Sequence, residues 1–208
     1  ILNNVEFVTG TNTILNNTTS ITVNGNLTLC SSLTVTASGT VLMTSTGSLA
    51  SFGKTFTNNF STTGITTFVD DFRCTGTLTL TANTLTVNGN ITCSIFTSSN
   101  SNTRTLNMGN GLWTLTNPTS PWGLTTTTGM TLNAQGSTIK FTDNSANSLT
   151  FNGGGLTYNN VWFDRVIGGG SITLGGVGNT FNTFRISTCT VAYTLSIAQS
   201  HHQNFAEF

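Results

Sequence analysis

The acidic side chains are the first candidates for chemistry, because hydrolysis of a glycosidic bond needs two carboxyl groups about 5–9.5 Å apart. Of six acidic residues in 208, only Asp70 and Asp71 form a local pair. Adjacent strand residues point to opposite faces, so these two carboxyl groups do not converge. We predict that Asp70, Asp71 and Arg73 form a polar corner. An acid pair assembled from distant parts of the chain, such as Asp71 with Asp143, is the alternative.

The remaining titratable residues also lack the spacing of a reactive site. His201 and His202 are the only histidines, and neighbouring side chains on a strand diverge instead of meeting at one metal ion. Asp164 and Arg165 are typical of a salt bridge between strands. The glycine clusters match neither a phosphate-binding loop nor a dinucleotide-binding turn. We therefore predict no catalytic residue, no metal, no cofactor and no enzymatic activity.

The three tryptophans are candidate binding residues. Exposed indole rings at Trp113, Trp122 and Trp162 would stack on sugars, so we name these residues as candidate contacts for a receptor or carbohydrate. The alternative is that each ring fills a corner or seals an interface with a neighbouring chain.

Thr-x-Thr pairs, as in 34–36, 77–81 and 84–86, suggest a second binding role, because flat threonine arrays occur in ice-binding proteins. Such an array needs threonine pairs that recur at one fixed offset along the chain, so that all of them lie on one flat face. The offsets here vary, so we interpret these residues as the outward positions of ordinary strands.

The charge content and the length of the apolar runs each exclude one class of partner. Only 6% of the residues are charged, against roughly 25% in an average protein. No basic stripe is available to bind phosphates, so we expect no nucleic acid partner. No apolar run approaches the roughly 20 residues of a membrane span, so we expect no membrane insertion.

Four cysteines lie far apart, at positions where a small apolar residue fits. Free cysteine packs as a small hydrophobe, so we predict buried free thiols at Cys30, Cys74, Cys93 and Cys189.

Alternating polar and apolar residues determine the predicted fold. Pairs such as Leu78/Leu80 and Leu85/Val87 are separated by threonine, and Leu112 and Leu115 are also assigned to the inside. A period of two indicates strands. These strands are three to five residues long and are separated by Asn-Gly and similar turns, which are too closely spaced for a hairpin sandwich. We predict an all-β, parallel β-solenoid forming an elongated fibre segment, with little or no helix.

Internal repeats support this fold. "ITVNGNLTLC" at Ile21 returns as "LTVNGNITCS" at Leu85, an offset of about three coils if each has on the order of 20 residues. We divide the chain into a solenoid with short Thr-rich coils (1–100), an excursion or junction with both prolines and two tryptophans (101–128) and a second solenoid-like segment (129–208). We expect all three to be part of a longer polypeptide.

Two phrases resemble a known group of proteins. "TLTVNGNITCSIFTSSNSNTRTLNMGNGLWTLT" (84–116) and "LTYNNVWFDRVIGGGSITLGGVGNTFNTFRIS" (156–187) are similar to repeats in virion-associated tail-fibre proteins of aquatic tailed bacteriophages. Filamentous bacterial adhesins contain similar phrases. The resemblance implies a structural tail-fibre component in the virion that presents a host-attachment surface. Its implied partners are two further copies in a homotrimer, other virion proteins and a host polysaccharide or receptor.

Two alternatives stay open. A secreted adhesin on a bacterial surface predicts the same fold in a monomer. A tailspike polysaccharide depolymerase predicts two acids in a groove, and loss of sugar cleavage when Asp70, Asp71 or Asp164 is changed to Asn.

Overall fold

The computed structural model describes residues 1–7, 14–15, 19–36, 39–165, 170–176, 178–187, 192, 194–197 and 204–207. The side chains of 14, 15, 206 and 207 are outside this description. The described residues form 26 strands and no helix. The predicted all-β class is confirmed.

The strands form three main sheets. Sheet 1 contains β1 (Val5–Glu6), β4 (Leu27–Thr28), β7 (Gly47–Ala50), β10 (Thr66–Phe68), β13 (Asn83–Val87), β16 (Arg104–Asn107) and β19 (Met130–Asn133). Sheet 2 contains β8 (Thr55–Phe56), β11 (Phe72–Cys74), β14 (Ile91–Cys93), β17 (Leu112–Leu115), β20 (Thr138–Phe141), β22 (Thr157–Phe163), β24 (Thr180–Ile186) and β26 (Asn204–Glu207). Sheet 3 contains β3 (Ile21–Val23), β6 (Val41–Met43), β9 (Phe60–Thr62), β12 (Thr77–Leu80), β15 (Ile95–Thr97), β18 (Trp122–Gly123), β21 (Leu149–Asn152), β23 (Ser171–Gly175) and β25 (Thr194–Ile197). A short separate ladder joins β2 (Ile14–Leu15) to β5 (Thr34–Val35).

All pairings between these strands are parallel, so each strand lies beside its counterpart in the next coil. In sheet 3, Phe60 pairs with Leu78 and Leu78 pairs with Phe96, so these two successive coils have the same length. In the three-sided part of the stack, the chain visits sheets 3, 1 and 2 in turn. The result is the predicted parallel β-solenoid, and the structure gives it about eight coils.

Strand alternation separates the inside of the solenoid from the outside. Leu78 and Leu80 of β12 are fully buried, whereas the alternating residues Thr77 and Thr79 are half-buried on the outer face. A buried leucine contributes about 1.5–3 kcal/mol, and the β-branched threonine fits the pleated outer surface. The threonine pairs of β12 and β13 lie on different sheets, so they do not form one flat array.

The core changes from aliphatic to aromatic along the stack. Leu27, Val41 and Leu49 fill the first coils. From β8 onward rings predominate, and the centroids of Phe68 and Phe72 lie 4.4 Å apart in a stacked arrangement. The larger side chains therefore enter the core well before the C-terminal half of the chain.

Corner side chains tie each coil to the next. The side-chain oxygen of Asn26 accepts a hydrogen bond of 2.9 Å from the Ser48 N–H. A carboxylate oxygen of Asp71 accepts one from the Asn90 N–H at 2.8 Å, and the Asn90 side chain accepts one from the Leu112 N–H at 2.9 Å. Backbone groups that the sheets leave unpaired at corners are satisfied in this way.

Glycine is required where one corner lies against the next. A Cβ added to Gly47 would lie 2.0 Å from the carbonyl oxygen of Gly25, and one added to Gly89 would lie 2.5 Å from the carbonyl carbon of Asp70. Any larger residue would push adjacent coils apart.

The repeated "VNGN" phrases lie on different sides of the solenoid. Ile21 is in sheet 3, whereas Leu85 is in sheet 1. The ladder from Ile21 reaches Leu78 after three coils, through Val41 and Phe60, and β13 is the next strand along the chain. The offset is therefore three coils plus one side. The expectation of about three coils is corrected, because Asn-Gly-Asn forms a corner at more than one edge.

The coils lengthen around residues 101–128. Phe96 pairs with Trp122 and Trp122 pairs with Phe151, and both of these steps along the chain are longer than the step from Leu78 to Phe96. This stretch nevertheless supplies β16, β17 and β18 to sheets 1, 2 and 3. The additional residues lie in the corners, and the stack continues through them.

The cross-section changes after β19. In the described part of the chain, sheet 1 ends there, whereas sheets 2 and 3 continue to β26 and β25. β22 and β24 have seven residues each, compared with three in β11. The last coils therefore have fewer and longer sides.

Arg104 is buried at the corner that leads into sheet 1, with 1% of its surface exposed. Its Nε donates to Ser98 Oγ at 2.7 Å. Its Nη1 donates to the carbonyl oxygens of Asn102 and Thr128 at 2.7 and 2.9 Å. Its Nη2 donates to those of Ser98 and Thr126 at 2.5 and 2.6 Å. All five donors are used, and burial lowers the pKa of the guanidinium from its ordinary value.

Arg165 occupies a second buried corner and is also 1% exposed. Its Nε donates to the carbonyl oxygen of Asp143 at 2.9 Å. Its Nη2 donates to the carbonyl oxygens of Ser145 and Asn147, both at 2.8 Å, and lies 3.4 Å from an Asp143 carboxylate oxygen. This side chain therefore holds the 143–147 loop of the preceding coil.

Candidate functional site

The outer face of sheet 2 carries an indole ring between two cations. Trp162 of β22 pairs with Lys140 of β20 and with Arg185 of β24. Nζ of Lys140 lies 4.1 Å from the centroid of the indole, and the guanidinium carbon of Arg185 lies 4.5 Å from it. Both distances allow attraction between the cation and the ring. We call Lys140, Trp162, Asp164, Arg185 and Ser187 the Trp162 surface.

Strand alternation and coil length together create this surface. Val161 and Phe163 are buried, which leaves Trp162 between them half-exposed on the outer face. Lys140, Trp162 and Arg185 are neighbours because the lengths of the two intervening coils bring them into the same register position. Lengthening or shortening either coil by a single residue would turn the neighbouring side chain to the inside.

A hydrogen-bond chain fixes the ring and one cation. Nε1 of Trp162 donates to Ser187 Oγ at 2.8 Å, and the Ser187 hydroxyl donates to a carboxylate oxygen of Asp164. Nζ of Lys140 lies 2.7 Å from the other oxygen of that carboxylate. Hydrogen bonds from Lys140 and Ser187 lower the pKa of Asp164. A general acid needs the opposite shift, so Asp164 acts here as a fixed anion.

A groove of about 360 Å³ lies beside the ring on the same face. Its outward residues occupy one ladder through successive coils: Leu112, Thr138, Asn160 and Thr183. The Asn160 amide donates to Thr138 Oγ1 at 3.1 Å. The groove thus offers hydroxyl and amide groups next to the Arg185 guanidinium, a combination that suits a polar, hydroxyl-rich ligand.

Trp113 and Trp122 lie in the core, and neither indole has exposed surface. The sequence pattern assigns Leu112 to the inside, but the structure buries Trp113 and Leu115 and leaves Leu112 37% exposed. Burying an indole removes more apolar area from water than burying a leucine, which favours this register. Nε1 of Trp122 donates to the Tyr158 hydroxyl at 3.2 Å. The expectation of exposed rings at these two tryptophans is therefore wrong, and Trp162 alone of the three reaches the surface.

Asp70 and Asp71 form a polar corner, as the sequence predicts. The carboxylate of Asp70 accepts hydrogen bonds from the N–H groups of Ser51 and Phe52 at 2.8 and 2.7 Å. Arg73 does not complete the corner, because it lies on the exposed face of β11 and no described ion pair includes it.

Asp71 and Asp143 are not brought together. Asp71 precedes β11 and Asp143 follows β20, three ladder steps away in sheet 2. Three steps alone amount to about 14 Å, and the two residues lie at opposite ends of their strands. This separation exceeds the carboxyl distance of a glycosidase.

Asp164 and Arg165 both form ion pairs with the preceding coil, in line with the predicted salt bridge between strands, but they do not pair with each other. Asp164 pairs with Lys140, and Arg165 pairs with Asp143. The two residues are consecutive, so the Asp164 side chain turns outward to the Trp162 surface while Arg165 turns into the corner.

Three predicted thiols are free and buried, which confirms the prediction for Cys30, Cys74 and Cys93. Burial, and secondarily the neighbouring Cys74 thiol, raises the pKa of Cys93. The remaining candidates, Cys189, His201 and His202, lie outside the described residues. Within the described part, no group of three or more His, Cys, Asp or Glu side chains is arranged to hold a metal ion.

Across the described residues, no helix has the length and apolar character needed to cross a membrane. Comparisons with protein-family models, with curated proteins and with solved structures find no match to this chain. The functional conclusion therefore depends on the fold and on the Trp162 surface.

Proposed function

We propose that this chain is a structural segment of a bacteriophage tail fibre or similar virion appendage, which projects from the particle and presents a host-attachment surface. The observation that carries the proposal is the parallel stack itself. The nine strands of sheet 3, spaced at about 4.8 Å, span roughly 38 Å along the stacking direction. Repeating such coils lengthens a rod without requiring a new core, which suits a spacer.

The distribution of charge supports an attachment role. The chain has only twelve charged residues, and the corners bury Arg104 and Arg165. Lys140, Asp164 and Arg185, in contrast, cluster around Trp162 on one outer face. Among the described residues, this cluster brings three charged side chains together around one ring, on a surface that consists largely of uncharged strand faces.

The resemblance to phage tail-fibre repeats supports the same role. Within the first of the two phrases (84–116), residues Ser98–Arg104 form the corner closed by the buried guanidinium. A phrase that encodes a coil corner is expected to recur in proteins that repeat coils. The partners we propose are two further copies in a homotrimer, other virion proteins and a host surface polysaccharide or receptor.

The proposal is tested by immunogold electron microscopy with antibodies raised against the purified chain. We expect gold on the tail appendages of virions in the source sample. Gold on bacterial envelopes instead would replace the proposal with a surface adhesin, and gold on neither would reject both. Light scattering tests the homotrimer, since a trimer has three times the 21.9 kDa chain mass.

A further inference from the structure

We propose that the groove beside Trp162 binds an acidic saccharide, whose carboxylate group is bound by Arg185. This inference deepens the attachment role proposed above and rests on it. It names the chemical class of the ligand and the residue that selects the ligand.

Within the described residues, the Arg185 guanidinium forms no hydrogen bond or ion pair, although its charge acts on the Asp164 carboxylate. Arg185 is exposed, and its guanidinium lies against the Trp162 ring. Among the described side chains, the Asp164 carboxylate is held by Lys140 and Ser187, and no carboxylate lies within ion-pair distance of Arg185. A guanidinium has five N–H donors in a fixed plane and binds a carboxylate through two parallel hydrogen bonds.

The Trp162 surface holds this guanidinium in place before any ligand arrives. The indole is fixed through its Nε1 hydrogen bond to Ser187, and the cation–π contact restricts the Arg185 side chain. A side chain that is already ordered loses less conformational entropy when it binds.

The same arrangement disfavours the sugar-stacking role expected for Trp162, because two cations already lie over the ring. Lys140 and Arg185 come from the coils on either side of the ring, and both contact it. A pyranose ring would have to displace a cation to reach the indole face. Recognition therefore falls to Arg185 and to the polar groove, and Trp162 acts as a positioning residue.

The groove is large enough for a sugar and combines apolar surface with a few polar groups. Its volume of about 360 Å³ is at the lower end of the range for small-molecule sites. Thr138, Asn160 and Thr183 follow one another at the strand spacing, so they present donors and acceptors at intervals of about 4.8 Å. Leu112, at the end of this ladder, offers an apolar contact to ring C–H groups.

The experiment measures binding of trigalacturonic acid to the purified chain by titration calorimetry, at low and at high salt. The fully methyl-esterified trisaccharide is the neutral probe. We expect the acid to bind and the ester to bind on the order of tenfold more weakly. Added salt is expected to weaken the binding of the acid but not that of the ester. Equal binding of acid and ester would overturn the inference.

Arg185→Met is the test variant and Arg73→Met is its matched control. Arg73 lies on the same outward ladder of sheet 2, which continues through Thr92, Thr114 and Lys140 to Trp162 and Arg185. Both changes remove one exposed positive charge, but only Arg185 borders the groove. We expect Arg185→Met to lower the affinity on the order of tenfold, as loss of a charge-assisted contact predicts, with Arg73→Met unchanged.

Equal losses of affinity in Arg185→Met and Arg73→Met would show that net charge alone causes the effect. That result would overturn the proposed site. An absence of saccharide binding, with gold labelling still on virion tails, would refute this inference and leave the appendage role intact. Binding of the saccharide by the purified chain, without gold labelling of any virion, would support this inference and refute the appendage role.

Discussion

Two buried arginines occupy corners of the same solenoid in different electrostatic settings. Arg165 has a carboxylate nearby, at 3.4 Å from Asp143, whereas within the described residues no carboxylate pairs with Arg104. Both side chains are nevertheless 1% exposed, and both direct most of their donors to backbone carbonyl groups.

The comparison shows what a buried charge needs in this fold. A corner loop turns several carbonyl groups inward, and these groups have no partner in the sheets. One guanidinium satisfies three or four such groups at once, and their dipoles compensate for part of the water that it has lost. A counter-ion is therefore secondary, which explains how a chain with so few charges places two of its arginines inside.

The largest effect is expected from Arg104→Met. The change leaves the carbonyl groups of Asn102, Thr126 and Thr128, among others, without a donor. We expect a loss of about 3–5 kcal/mol in the free energy of unfolding, measured in urea. Arg73→Met removes an exposed arginine and is the control, with an expected change below about 0.5 kcal/mol. If Arg104→Met and Arg73→Met had equal unfolding free energies, Arg104 would have no structural role.

A smaller loss is expected from Arg165→Met, because the Asp143 carboxylate keeps its hydrogen bonds from Ser145 when the guanidinium is removed. We expect about 2–4 kcal/mol by the same urea measurement. Arg165→Lys retains the charge but cannot reach all three carbonyl groups, so its stability should be intermediate. A lysine variant as stable as the native chain would show that charge alone matters at this corner.

Ser98→Ala tests the one side-chain acceptor of Arg104. Ser98 Oγ accepts from Nε of Arg104 and donates to the Leu80 carbonyl, both at 2.7 Å. We expect a loss of about 1–2 kcal/mol, and a smaller loss when Arg104 is already Met. Ser101→Ala, at an exposed position of the same loop, is expected to be neutral. If the losses of unfolding free energy from Ser98→Ala and Arg104→Met simply added in the double variant, Ser98 would not stabilise the fold through Arg104.

The smallest effect concerns the half-buried ion pair of Asp164 with Lys140, which contrasts with the fully buried corners. The lowered pKa of Asp164 means that its contribution is present above its ordinary value of 3.8 and is lost as the pH falls through the folded-state pKa. We expect Asp164→Asn to cost less than about 1 kcal/mol at pH 7, and this difference from the native chain to disappear in acid. A difference that is unchanged at low pH would contradict this assignment.

The fold follows from local sequence because alternation and turn residues act over a few positions. Leu78 and Leu80 are buried as predicted. The pattern failed at Leu112 and Trp113, where adjacent apolar residues permit either register. Burial of the larger indole, which packs against Phe96 at 5.3 Å between centroids, decides between them.

The candidate site was harder to predict, because it depends on coil lengths that vary along the chain. Lys140, Trp162 and Arg185 become neighbours only through the particular lengths of the two coils between them. Those coils are longer than the ones that join Phe60 to Leu78 and Leu78 to Phe96, so no single repeat length places the three residues together.

The buried role of Arg104 was missed for a different reason. A single arginine in a run of serine and asparagine normally indicates solvent exposure. Its position at the start of β16 was nevertheless a usable signal, because the first residue of a strand lies beside the corner whose carbonyl groups need donors.

The central physical claim is that backbone carbonyl groups, not carboxylates, hold the buried cations of this solenoid. The most direct test measures the unfolding free energy of Asp143→Asn beside that of Arg165→Met. The asparagine retains the backbone carbonyl that Arg165 uses, and the ion pair that it removes is long, at 3.4 Å. We expect Asp143→Asn to cost about 1 kcal/mol or less and Arg165→Met to cost at least twice as much. A cost for Asp143→Asn equal to that for Arg165→Met would show that the carboxylate holds the cation, and would contradict the claim.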